Sequence, residues 1–198
     1  MPADHTAEHQ LDATVEALCQ ALRVWDAESF EHCRRTALYA EAIASELGLD
    51  APVVELVRIG ALLHDIGKMG VDLAVLKKPA RLAEHEREHV ALHPAMGASI
   101  LERILPREVV ECAAAHHEQP DGNGYPNGLR DGQIPLSAVI CRVADVFDSL
   151  TTDQTYRPAM SVEEALAELR DGAGTRYAPH VVAALGRALE HETIRLAA

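Results

Sequence analysis

The sequence predicts an all-α fold, a single helical bundle with an N-terminal helical extension. Three observations lead there. The chain is rich in Ala and Leu and only 4% aromatic, a composition that favours helix over sheet. Its apolar residues recur at three- and four-residue spacing, and no run alternates with period two. Prolines and glycines fall between the periodic segments, where they open and close helices. At 198 residues and 48% hydrophobic, the chain can bury a substantial core as one domain plus an extension.

The elements follow in order. Leu11 to Val24 reads as a helix with Leu11, Val15, Leu18 and Leu22 on one face, within an extension spanning 1–25. The main domain then covers 26–198. Asp26 is placed to N-cap a second helix that reaches about Leu47 and is ended by Gly48. Pro52 opens a third, carrying Val53, Leu56, Val57, Leu62 and Leu63 and stopping near Gly67. Residues 70–82 read as a loop and Glu84 to His93 as a short helix. Pro94 opens a helix to Leu105, and Pro106 one that ends at His116-His117. Residues 121–132 hold four glycines and a proline and read as loop. Leu136 to Leu150 is a strongly apolar helix. Ser161 caps a further helix, with Glu164 at the capping-box position, and a last helix follows Pro179.

The formal charge of −13 argues against DNA, RNA or an anionic membrane as partner. It leaves room for a small phosphate substrate, because divalent cations reverse the sign inside a pocket. The four cysteines, Cys19, Cys33, Cys112 and Cys141, form no CxxC and are expected to be reduced thiols in a cytoplasmic protein. Residues 1–10 lack the pattern of a signal peptide, and no apolar run is long enough to span a bilayer. The N-terminal helix could serve a homodimer or a regulatory protein partner, or pack on the core.

Two doublets carry the chemistry. His64-Asp65 and His116-His117 each place adjacent metal-liganding side chains at the end of an apolar helix. Helical neighbours point roughly 100° apart, so adjacent ligands suit residues shared among several metal ions. Glu28 and His32 stand at i, i+4 on the second helix, His93 lies at a helix junction, and Asp145 interrupts the most apolar helix. A lone buried aspartate is costly unless it is paired or binds a metal. A set of His and carboxylate ligands without thiolate suits Fe, Mn or Zn. His85-Glu86-Arg87-Glu88-His89 fits the H-E-x-x-H zinc-protease pattern, but its charged flanks mark a solvated helix.

In chain order, HDIGK at 64–68, KKPARL at 77–82, HHEQPDGNGYPNGL at 116–129, IPL at 134–136 and ADVFDSLTTD at 144–153 resemble the HD-GYP family. That family is a branch of the HD-domain metal-dependent phosphohydrolases. The match runs from about His32 to Pro179. The resemblance implies a helical HD-domain bundle that hydrolyses cyclic di-GMP to linear pGpG, in some members on to GMP. It implies two or three divalent ions, Fe or Mn ahead of Zn, Ni or Mg. The implied ligands are Glu28, His32, His64, Asp65, His93, His116, His117 and Asp145, with Asp65 bridging two ions and Glu28 serving a third. Metal ions would make a hydroxide available near neutral pH by lowering the pKa of water. Asp65 and Lys68 are the implied catalytic residues, and Lys68, Tyr125, Gln154 and Arg157 would bind substrate. Asp148, one turn beyond Asp145, is placed to orient a ligand histidine.

The chain departs from the family at several positions. Gln154 stands where members often carry a phosphate-binding arginine, Ala178 where they carry Asp, and Ala80 follows the loop lysine, Lys78, in place of Gly. Two readings compete with the leading one: an HD-type phosphohydrolase for another cyclic dinucleotide or nucleotide, and a catalytically weak module that binds a dinucleotide or protein.

Overall fold

The computed structural model describes residues 5–153 and 157–191. Those residues form ten α-helices and one 3-10 helix, with no sheet. Isolated bridges join Asp121 with Arg130 and Ala173 with Tyr177.

Helix α1 (His5–Trp25) lays Val15, Cys19 and Leu22 into the core, while Leu11 and Leu18 pack half-buried on its edge. α2 (Ala27–Glu46) starts where expected, with the Asp26 carboxylate accepting from the Ser29 amide at 3.3 Å. It ends at Leu47, followed by Gly48 at φ 74°, a left-handed conformation that glycine adopts without strain. α3 (Ala51–Leu63) has Pro52 in its first turn and ends just before His64. The chain tightens there into a 3-10 helix, Ile66–Gly70, rather than extending α3 to Gly67.

Residues 70–82 are not wholly loop. α4 (Leu73–Leu76) is a single turn capped by Asp72, whose carboxylate accepts from the Ala74 amide at 2.9 Å. One turn shows no apolar periodicity, so its only signal was the cap. α5 (Glu84–Val90) ends three residues short of His93. α6 (His93–Leu101) stops four residues before Leu105. α7 (Arg107–Ala115), α8 (Leu136–Thr151), α9 (Val162–Asp171) and α10 (Pro179–Glu190) follow the sequence reading closely. α9 carries the Ser161–Glu164 capping box.

α2, α3, α7 and α8 form the centre of the bundle. α2 packs on α3 and α8, α3 on α7, and α6 on both α7 and the 3-10 helix. α10 closes the far side against α2, α8 and α9. Phe147 is fully buried at the centre, edge-on to Tyr39 at 5.0 Å. Among the described residues no helix is long and apolar enough to cross a membrane.

Candidate metal centre

The site lies where helix ends meet. His64 and Asp65 follow α3, His93 opens α6, and His116 and His117 follow α7. His32 comes from α2, and Asp145 and Asp148 from α8. The 3-10 helix and α6 touch backbone to backbone at Gly67: a Cβ there would lie 2.0 Å from the His93 carbonyl oxygen and 2.5 Å from the Gly97 nitrogen. Only glycine allows this approach, which sets Asp65 against His93.

Two groups of ligand atoms converge: Asp65 with His93, His116 and His117, and Asp65 with His32 and His64. Asp65 belongs to both. Its Oδ1 lies 3.2 Å from His93 Nε2 and 3.8 Å from His116 Nε2. Its Oδ2 lies 3.4 Å from His64 Nε2 and 3.9 Å from His32 Nε2. Asp145 Oδ1 stands 3.1 Å from His32 Nε2 and 4.0 Å from His64 Nε2.

The proton pattern tests whether metal ions fit. His64 Nδ1 faces the Ala61 carbonyl at 2.7 Å, His93 Nδ1 that of Val90 at 2.8 Å, and His116 Nδ1 that of Ala113 at 2.9 Å. A carbonyl only accepts, so each Nδ1 carries a hydrogen and each ring turns its Nε2 towards the cluster. Yet His93 Nε2 and His116 Nε2 are 3.1 Å apart, and Asp65 Oδ1 is buried with no hydrogen bond. A cation placed between these atoms would satisfy them together. Burial also holds His64 and His116 below the ordinary histidine pKa and brings His117 down to about 3, so these rings do not supply that cation by protonation. The donor set therefore fits divalent metal.

His32 differs. Its Nδ1 is 2.7 Å from Asp148 Oδ2, and Arg35 donates to both oxygens of the same carboxylate at 2.7 and 2.9 Å. Burial alone would lower the pKa of His32, but the bonds to Asp145 and Asp148 raise it to about 9. Burial pushes Asp65 and Asp145 up, yet Lys68 and His64 hold Asp65 well below the ordinary range and His32 does the same for Asp145. The Lys68 ammonium forms an ion pair with Asp65 that keeps it protonated despite burial.

Tyr125 stacks on His117, with ring centroids 4.6 Å apart at 21°. The loop around it is held by Glu118, whose buried carboxylate accepts from the amides of Asn127 at 2.7 Å and Leu129 at 2.9 Å.

Other expected site residues lie apart from this cluster. The Glu28 side chain is 81% exposed, 3.9 Å from Lys77, and outside both converging groups. Arg157 donates to the Ser149 and Leu150 carbonyls at the end of α8. Gln154 lies outside the described residues. Ala178 is buried at the N-cap of α10. Lys78 pairs with Glu86, whose carboxylate also accepts from the Ala83 amide at 2.6 Å. Glu86 of the H-E-x-x-H segment is thus a capping residue, and His85 and His89 are exposed. Three residues beside the cluster were not found from sequence: Arg35, Glu118 and Arg142. Only Arg142 carried a signal, as a lone cation in the apolar run ICRVADVF.

Residues 10–181 match the family described as HD domain. The chain belongs to the HD domain family. The matched region takes in most of α1 as well as the bundle. Among similar proteins, the 3'3'-cGAMP-specific phosphodiesterase 3 of Vibrio cholerae is 40% identical over 90% of this chain and 40% of its own length. A cyclic di-GMP phosphodiesterase of Thermotoga maritima is 37% identical over 80% of this chain and 44% of its own length. The HD chain thus spans less than half of these curated relatives. A solved Bdellovibrio bacteriovorus protein, described as an HDG"Y"P protein, superposes with a TM-score of 0.67 at 25% identity. That superposition covers 81% of this chain and 52% of the other. These likenesses agree with the HD-GYP resemblance carried by the motifs.

Proposed function

We propose that this HD domain is a metal-dependent phosphodiesterase that hydrolyses a cyclic dinucleotide, cyclic di-GMP, to linear pGpG. The observation that carries the reading is the buried convergence of His93 Nε2, His116 Nε2 and Asp65 Oδ1, with the Nδ1 atoms of His64, His93 and His116 turned to backbone carbonyls so that Nε2 faces the cluster. The names of the Vibrio and Thermotoga relatives support a cyclic dinucleotide as substrate.

His93, His116 and His117 would hold one ion with Asp65, while His32 and His64 would hold a second with Asp65 and the neighbouring Asp145. Two ions match the converging groups; a third at Glu28 would require that side chain to turn inward. Iron or manganese suits these N and O donors. When bound, the ions would lower the pKa of water and neutralise charge on the phosphate. Lys68 places a fixed positive charge beside Asp65, where negative charge builds on the phosphoryl oxygens as the P–O bond breaks. Tyr125, stacked on His117 in a loop braced by Glu118, offers an aromatic face to a base. Arg157 and Gln154 are the remaining proposed substrate contacts.

A second reading, 3'3'-cGAMP as the substrate, draws on the 40% identity with the Vibrio enzyme. One experiment tests both. The protein is purified anaerobically, its metal content measured, and turnover of each dinucleotide followed with Mn(II) or Fe(II). Turnover with cyclic di-GMP preferred is expected, whereas preference for 3'3'-cGAMP selects the second reading. A full metal complement with no turnover of either overturns the proposal. Asp65→Ala is expected to abolish turnover and lower metal content, since it removes a donor from both groups.

A further inference from the structure

Arg142 stands on α8 three residues before Asp145, so both project from one face of that helix. Its Nε is buried and makes no hydrogen bond. Its Nη1 lies 3.2 Å from His117 Nδ1, and its guanidinium carbon is 5.8 Å from the centre of the Tyr177 ring. Arg35, Arg58, Arg107, Arg176 and Arg187 each face a carboxylate. Arg142 forms no such pair among the described residues. A guanidinium always carries its charge and has donors matched to a planar or tetrahedral oxyanion. An anionic group of a ligand would match this charge, which has no carboxylate partner among the described residues.

Charge placement narrows the identity of that acceptor. Lys68 pairs with Asp65, which both groups share, whereas Arg142 lies against His117, which belongs to one of them, with Tyr125 stacked on His117. A cyclic dinucleotide carries two phosphodiester groups on opposite sides of its ring, and only one can react at a time. We propose that Arg142 binds the second, non-reacting phosphate, and so makes the site select a dinucleotide over a molecule with one phosphate. The inference rests on the proposed function. It differs from a role in catalysis, because the contact is the same before and during the reaction and therefore lowers KM without raising kcat.

The contact with His117 suggests the rival account, in which Arg142 merely positions a ligand histidine. Arg142→Ala and Arg142→Lys separate the two. Each variant is loaded with Mn(II) and its metal content measured. Its kinetics are followed on cyclic di-GMP and on bis(p-nitrophenyl) phosphate, a diester with one phosphate. Affinity is read by calorimetry for a slowly hydrolysed phosphorothioate analogue of cyclic di-GMP and for GMP. Arg142→Ala is expected to raise KM, and the Kd of the analogue, by about 10- to 100-fold, the loss of a charge-assisted contact. Its kcat, its metal content, the small diester and GMP binding should be unaffected, and Arg142→Lys should recover part of the loss. A fall in metal content, or an equal loss on both kinds of substrate, overturns the proposal in favour of positioning. Unchanged KM and Kd overturn it outright. If the wild type binds the analogue but turns nothing over, the catalytic reading fails while the two Kd values still decide the role of Arg142. If the wild type binds neither nucleotide, both readings fail.

Discussion

His32 is gripped at Nδ1 by Asp148, and Asp148 in turn by Arg35. This chain fixes the ring before any ion arrives, because a buried carboxylate held by a bidentate guanidinium has little freedom to turn. Asp148→Asn keeps the shape but weakens the grip on Nδ1. It is expected to lower metal affinity about 10- to 100-fold, the usual range for an outer partner of a ligand histidine. Competition with a chelator measures the shift, and unchanged affinity would sink the account. Asp148 was legible because it lies one turn past Asp145 on an apolar helix. Arg35 was not, because its partner is 113 positions away and nothing local marks the pair. The same limit explains Glu28. Its i, i+4 spacing with His32 places it on the right stretch of helix, yet says nothing of whether the side chain turns towards the cluster or towards Lys77.

At the scale of elements, long amphipathic helices were readable from their period and their caps. The single turn α4 was not, because it offers one cap and no repeat. The loop at 121–132 was recognisable from its glycines, but its brace was hidden, since Glu118 reads as a solvated acid beside the histidine doublet. Buried and bonded to two amides nine and eleven residues on, it decides where Tyr125 sits. Glu118→Ala leaves both amides without their acceptor and is expected to loosen the loop. KM for the cyclic dinucleotide should rise by about tenfold, matching a contribution of roughly 1.4 kcal/mol from such bonds. Metal content should hold, because His64, His93 and His116 are held by carbonyls of α3, α5 and α7 and His32 by Asp148, all outside the loop. Loss of metal together with affinity would show instead that the loop supports the cluster itself.

Across the whole molecule, the all-helical bundle and its core were foreseeable from composition and period. The meeting of the ligands was expected only through the family resemblance, because spacing alone does not join residues such as His32 and Asp148, 116 positions apart. The cysteines behave as core residues. All four are buried, and burial pushes Cys19 up to about 11 and Cys33 and Cys141 well above the ordinary thiol range. A thiol reacts as its thiolate, so the native protein at pH 8 should be inert to a thiol-specific disulfide reagent. After denaturation all four of its cysteines should react. Prompt reaction of even one thiol in the native state would contradict the packing described.

The backbone contact at Gly67 has a consequence for how the site is built over time. Because the His93 carbonyl abuts Gly67, the distance between Asp65 and His93 is fixed by two helices docking, not by an ion drawing loose side chains together. The entropy of gathering the donors is lost during folding of the chain, and an arriving ion meets a preorganised set. Loading and exchange of metal can then proceed within the folded bundle.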